Sequence, residues 1–228
     1  MLKIGHRGAS GYEPENTIRS FKKAVELGAD MIEFDVHICK SGEVVVIHDE
    51  KVNRTTNGRG QVANKTLDEL KKLDAGRGEK IPTVEEVFDS IGRRVVLNIE
   101  LKGEKTAKPI YKIIKNYIKD FDWFYDDFLV SSFDYSKLKE MRGLDHKIRL
   151  GLILNKFNKE LPKFLKDLDI YSIHISRKER KILNEDYINF LGKLGVKVFT
   201  WTANQKGDIK KLKTLGVGGI FSDYPDRI

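Results

Sequence analysis

The chain has 228 residues, 40% hydrophobic and 33% charged, which is long enough to bury a full core and too apolar for a disordered chain. No apolar run reaches the length of a membrane span, and the lone cysteine, Cys39, excludes an internal disulfide and a cysteine-based metal cluster. The excess of 42 Lys+Arg over 34 Asp+Glu, a net charge of +8, admits anionic partners, but the lysines are spread over helix faces such as "DIKKLKTLG" and form no nucleic-acid-binding stripe.

In chain order, "LKIGH" at 2–6 reads as a strand that stops at Arg7-Gly8. The opening "MLKIGHRG" has no apolar leader, which predicts a cytosolic protein. A helix follows over 16–27, with Ile18, Phe21 and Val25 near one face, Asn16 as the expected N-cap and Gly28 as the stop. "MIEFDVHI" and "EVVVIHD" come next, separated only by "CKSG", which is too short for a parallel crossover and predicts an antiparallel hairpin. A tight turn at Ser41-Gly42 pairs Lys40 with Glu43 and sets Asp35 opposite His48. Residues 50–82, rich in Gly, Asn and charge with one short helical stretch, "LDELKKL", read as a lid-like insertion within a single catalytic domain, 1–228.

Helices at 83–91, 106–119, 135–142, 159–167, 184–194 and 206–214 then alternate with the strands "VVLNIELK", "FLVSSF", "RLGLIL", "IYSIHI", "KVFTWTA" and "GGIFSD". Nine strands less the returning arm of the hairpin leave eight parallel staves, so the predicted fold is α/β, a (β/α)8 TIM barrel.

In such a barrel the polar residues at the C-terminal strand ends form the mouth of the active site. Strand one ends in His6 and Arg7. Glu33, Asp35 and His37 alternate along strand two and so share one face, as do Asn98, Glu100 and Lys102 later, while the hairpin returns His48 and Asp49 to the same end. Buried carboxylates at Glu33, Asp35 and Glu100 need partners. Either Arg7 and Lys102 neutralise them in a structural ion-pair network, or a divalent cation does; three oxygen ligands would suit Mg²⁺ or Ca²⁺. His6 and His48 flank the cluster, where each is either a general acid or base or a hydrogen-bonded rim histidine. His37 falls behind the cluster or outward at the hairpin, and His146 and His174 have no comparable company and read as structural.

The blocks "GHRGASGYEPENTIRSFKKAVELGADMIEFDV", "GEVVVIHDEKVNRTTNGRG", "IPTVEEVFD", "LNIELKG", "VSSFD", "FTWTAN" and "GIFSDYP" resemble the glycerophosphodiester phosphodiesterase family, in the family's order and almost end to end. The resemblance implies the barrel with its insertion after His48-Asp49, one divalent cation, Mg²⁺ or Ca²⁺, on Glu33, Asp35 and Glu100, and His6 and His48 as the acid/base pair. It further implies Arg7 and Lys102 as phosphate ligands, and Phe133 and Trp201 as the apolar wall beside the alcohol. The implied substrate is a small-molecule glycerophosphodiester, hydrolysed to glycerol 3-phosphate and an alcohol, with no nucleic-acid partner and no membrane insertion. The substrate's own 2-hydroxyl is the implied nucleophile, through a cyclic phosphate that water opens. Two departures from the family's pattern, the hairpin "ICKSGE" and Gly218, fall on no residue with a chemical role. Rival readings are a lysophospholipase-D-like phosphodiesterase on the same barrel, which needs an apolar track for an acyl chain, and a non-catalytic phosphate-binding barrel, which would be expected to lack one of these groups.

Overall fold

The strands β1 (Leu2–His6), β2 (Met31–Ile38), β3 (Val44–Val46), β4 (Val96–Leu101), β5 (Phe128–Ser132), β6 (Arg149–Leu154), β7 (Ser172–Ser176), β8 (Lys197–Trp201) and β9 (Gly219–Ser222) make one sheet in a computed structural model that describes residues 1–156, 161–179 and 182–228. All are parallel except β3, and pairing of β1 with both β2 and β9 closes eight of them into a barrel.

Helices α1 (Ile18–Glu26), α3 (Val84–Ile91), α4 (Ala107–Asp120), α5 (Tyr135–Leu144), α6 (Leu161–Leu168), α7 (Glu185–Lys193) and α8 (Lys206–Thr214) form the crossovers, and α2 (Leu67–Lys72) belongs to the insertion. The first two residues of the helix predicted over 159–167 lie outside the described residues. Among the described residues no helix is long and apolar enough to cross a membrane.

Alternation along the strands decides the two layers of core. Phe34, Val36, Leu97, Ile99 and Val130 point outward into the helix layer, where Phe88 of α3 packs 5.2 Å from the rings of both Trp123 and Phe128. Truncating such a side chain costs about 3–5 kcal/mol. Inside the barrel, Ile4, Met31, Leu129, Phe199 and Phe221 form an apolar plug, and the polar residues further along the strands sit above it at the C-terminal end.

Two local expectations are corrected. Thr17, not Asn16, caps α1, its hydroxyl accepting from Ser20 N at 3.2 Å; Asn16 sits at φ 58° with its amide turned into the barrel. The hairpin register also differs by one residue. Val36 pairs with Val46 and His37 with Val45, and Ile47 N donates to Asp35 O at 2.9 Å, so Ile47 rather than His48 lies opposite Asp35. The cause is a longer turn: Cys39 N bonds Glu43 O across Lys40, Ser41 and Gly42, with Gly42 at φ 104° supplying the left-handed residue that a three-residue loop requires. β3 ends at Val46, and His48 leaves the ladder altogether.

β4 lies along one edge of β2 as far as Val36, and β3 takes the other edge, which β1 vacates after His6. The hairpin therefore rises above the barrel rim. On its inner side Cys39, Val45 and Ile47 pack with Val52, Val62, Leu70, Ala75 and Ile81, so residues 50–82 have a small core of their own seated on the hairpin.

Candidate active site

Parallel register brings the carboxylates together. Glu33 lies beside His6 on one side and Asn98 on the other, and Asp35 lies beside Glu100 one layer higher. Glu33, Asp35 and Glu100 each offer an oxygen within 4.8 Å of the others, and all three are buried. Arg7 N donates to Glu33 Oε2 at 2.9 Å, and Arg7 Nε stands 3.5 Å from Asp35 Oδ2, which also accepts from Asn16 Nδ2 at 2.9 Å. Lys102 Nζ is 3.1 Å from Glu100 Oε1, an ion-pair distance without hydrogen-bond alignment, and 4.0 Å from Asp35 Oδ1.

Two cations thus face three buried carboxylates, and the surplus negative charge has a cost. Burial, with Asp35 and Glu100 close by, pushes Glu33 well up from the usual carboxylate range; burial, then Asp35, pushes Glu100 up to about 7. An all-oxygen set with one uncompensated charge fits a hard divalent cation, which would hold all three groups ionised.

Arg7 reaches the cluster through strained backbone. It has φ 53°, and Gly8 after it has φ 83°, where a Cβ would lie 2.4 Å from Ser20 Oγ and 2.6 Å from Ser20 C. Only glycine lets α1 approach the strand end this closely, and the turn aims the Arg7 N–H at Glu33.

Each predicted catalytic histidine has a carboxylate behind it. His6 Nδ1 meets Asp223 Oδ1 at 2.7 Å, and Asp223 also accepts from Ser10 Oγ at 3.0 Å and Asn204 Nδ2 at 2.6 Å. Burial raises Asp223, but the bonds from His6, Asn204 and Ser10 outweigh it and bring the group down to about 2. His48 Nδ1 meets Asp49 Oδ1 at 2.6 Å, and Asp49 is clamped by Arg54. Burial depresses His48, with Arg7 and Lys102 adding to the effect and Asp35 and Asp49 opposing it.

His6, Arg7, Glu33, His48, Glu100 and Lys102 line one cavity of about 150 Å³, with Phe133 and Trp201 on its other wall at 5.9 Å, edge to face. Eight of the nine residues singled out by sequence therefore meet on one surface; Asp35 stands behind it, 1% exposed. His37 turns inward, its Nε2 3.1 Å from His48 O.

Sequence pattern missed Asp223, Arg54, Glu15 and His174. His174, read from the sequence as structural, lines the cavity, and a Cβ on Gly151 would lie 2.7 Å from its Nε2. Asp223 had a readable signal, an acidic residue at the end of the last strand; Arg54 and Glu15 had none beyond their charge.

The sequence profile of the glycerophosphoryl diester phosphodiesterase family matches residues 6–227. A glycerophosphodiester phosphodiesterase of Caldanaerobacter subterraneus is 39% identical over 244 residues, covering 100% of this chain and 96% of its own. An Oleispira antarctica phosphodiesterase, solved in complex with the product sn-glycerol-3-phosphate, superposes with a TM-score of 0.88 at 32% identity, covering 99% of this chain and 94% of its own. A human lysophospholipase D is 26% identical over 263 residues, covering 99% of this chain and 84% of its own.

Proposed function

Because the chain belongs to the glycerophosphoryl diester phosphodiesterase family and is an enzyme of that activity, we propose that it releases glycerol 3-phosphate and an alcohol from glycerophosphodiesters in a reaction that needs a divalent cation, Mg²⁺ or Ca²⁺. The observation that carries the reading is the convergence on one cavity of the buried carboxylate cluster, two histidine–aspartate pairs and two cations. The complex of the Oleispira relative with the product sn-glycerol-3-phosphate supports the same substrate class.

Glu33, Asp35 and Glu100 would hold the cation, which would supply positive charge against the phosphoryl oxygens. Arg7 and Lys102 donate hydrogen bonds to those same oxygens and hold the phosphate against the cluster. Of His6 and His48, one takes the proton from the nucleophile and the other gives a proton to the leaving alkoxide. The nucleophile is the substrate's own 2-hydroxyl; its attack displaces the alcohol and leaves a cyclic phosphate, which water opens to glycerol 3-phosphate. Phe133, 42% exposed, and Trp201 form the wall on the alcohol side, open to groups of different size. A buried lone cysteine needs no oxidising compartment, in keeping with the cytosol as the place of reaction.

A panel of glycerophosphodiesters, assayed for glycerol 3-phosphate with excess chelator and with each divalent ion restored, tests the proposal. Release is expected only with the ion present. Full turnover in excess EDTA overturns the cation's role, and faster choline release from lysophosphatidylcholine, which leaves lysophosphatidate, than from glycerophosphocholine moves the enzyme to the lysophospholipase D reading.

A further inference from the structure

We infer that Arg54, in the inserted segment, is a positioning residue for both His48 and Arg7, so that the insertion completes the catalytic centre. The inference rests on the roles proposed above for those two groups. Arg54 is the joint in an unbroken chain of charge-assisted hydrogen bonds. Its Nε and Nη2 donate to Asp49 Oδ2 and Oδ1 at 2.8 and 3.0 Å, and its Nη1 and Nη2 donate to Glu15 Oε2 and Oε1 at 2.7 and 2.9 Å. Asp49 Oδ1 continues to His48 Nδ1 at 2.6 Å, and Glu15 Oε1 accepts from Arg7 Nη1 at 2.8 Å. One planar fork holds two carboxylates, which the single ammonium of a lysine cannot reproduce.

The insertion's own fold fixes this fork. Val52, two residues earlier, is fully buried in the insertion core, and its carbonyl accepts from Thr56 N at 3.1 Å and Thr56 Oγ1 at 2.7 Å, closing the turn that carries Arg54.

The charges that face His48 are Asp35 from β2, Arg7 from the end of β1, Lys102 from the end of β4 and Asp49 from its own loop, while His37 meets its carbonyl. Arg54 offsets Asp49. Without it the full charge of Asp49 acts on the His48 ring and favours the imidazolium. Glu15, released from a rival cation, then holds Arg7 more tightly and draws it off the phosphate.

The test uses the full chain with the same divalent ion throughout, comparing Arg54→Gln, Arg54→Lys and Arg54→Gln combined with Asp49→Asn. Steady-state kinetics across pH are paired with an NMR titration of the His48 ring, whose signal is assigned by its loss in His48→Asn. In Arg54→Gln the His48 titration should move up by about 0.5–1 pH unit, a modest shift because Arg54 is nearly half exposed and solvent screens it. Its kcat/KM should fall by about 10–100-fold with a raised KM, the scale of a misplaced catalytic group. Arg54→Lys should keep the titration near the parent's but still raise KM. Adding Asp49→Asn should bring the titration back down.

Parental kcat, KM and titration in folded Arg54→Gln overturn the inference, as does a loss of thermal stability alone. If His48→Asn is inactive while Arg54→Gln is parental, only the role of Arg54 falls; full activity in His48→Asn removes the premise itself.

Discussion

The two histidine–aspartate pairs at the barrel mouth have nearly the same geometry and different electrostatics. The Nδ1–Oδ1 separations are 2.7 Å for His6–Asp223 and 2.6 Å for His48–Asp49. Behind Asp223 stand neutral donors, Ser10 and Asn204, held by the barrel's last two strand ends and the β1 turn; behind Asp49 stands the guanidinium of Arg54, from the insertion. Asp223 can therefore give its charge to its ring, whereas Asp49 shares it. Geometry places a proton-transfer group, but the partner's partner sets how strongly the proton is held.

The largest effect should come from removing the rings. His6→Ala and His48→Ala should each lower kcat by about 10²–10⁴-fold with the affinity for the divalent ion unchanged. On a nitrophenyl ester, whose leaving group needs no proton, only the variant lacking the general acid should recover; recovery in both variants would erase the distinction between the two rings. Loss of the ion from either variant would instead make that histidine part of the cation site.

Next in size are the aspartates. Asp223→Asn should reduce kcat by about 10²-fold, because the carboxylate that orients the His6 ring through Nδ1 is gone. Asp49→Asn should cost several-fold less, since Arg54 already offsets that charge. Equal losses would break the comparison.

A smaller effect concerns stability without the ion. Glu33 and Glu100 are raised above their unfolded values, so the stability linked to their protonated forms is present below about pH 4.5 and is lost as pH rises through the folded value, about 7 for Glu100. The ion-free protein should therefore lose on the order of 2–3 kcal/mol between pH 5 and 8, seen as a falling Tm, and Mg²⁺ or Ca²⁺ should abolish the slope. A flat profile without the ion would mean that Arg7 and Lys102 suffice to neutralise the cluster.

The smallest effect returns to Asp223. Its depressed carboxyl contributes stability that is complete above the unfolded value near 4 and is lost as pH falls toward about 2. Asp223→Asn should remove about 1–2 kcal/mol at pH 6, measured by denaturant titration, and flatten the acid limb below pH 4. An unchanged acid limb would show that His6 gains little from this charge.

Local pattern was enough for much of this molecule. Period-2 alternation put Glu33 with Asp35 and Asn98 with Glu100 on shared faces, and the four-residue link "CKSG" forced a hairpin, because covalent geometry and strand pleat act within a few residues. Strand counting then led to the barrel, whose C-terminal rim dictates where polar strand ends meet. Other features needed the folded chain. The one-residue slip of the hairpin follows from Gly42 in a three-residue turn, which composition does not distinguish from a two-residue one. Asn16 reads as a helix cap, and only the packing of α1 against β1 turns it onto Asp35, leaving Thr17 to cap the helix. Asp223 lies 217 residues from His6, and Arg54 lies 39 from Glu15. Charge and hydrogen-bonding capacity were written in each of these residues, but which two of them meet is decided by barrel closure and by the seating of the insertion on the hairpin, and no local rule reaches across those distances.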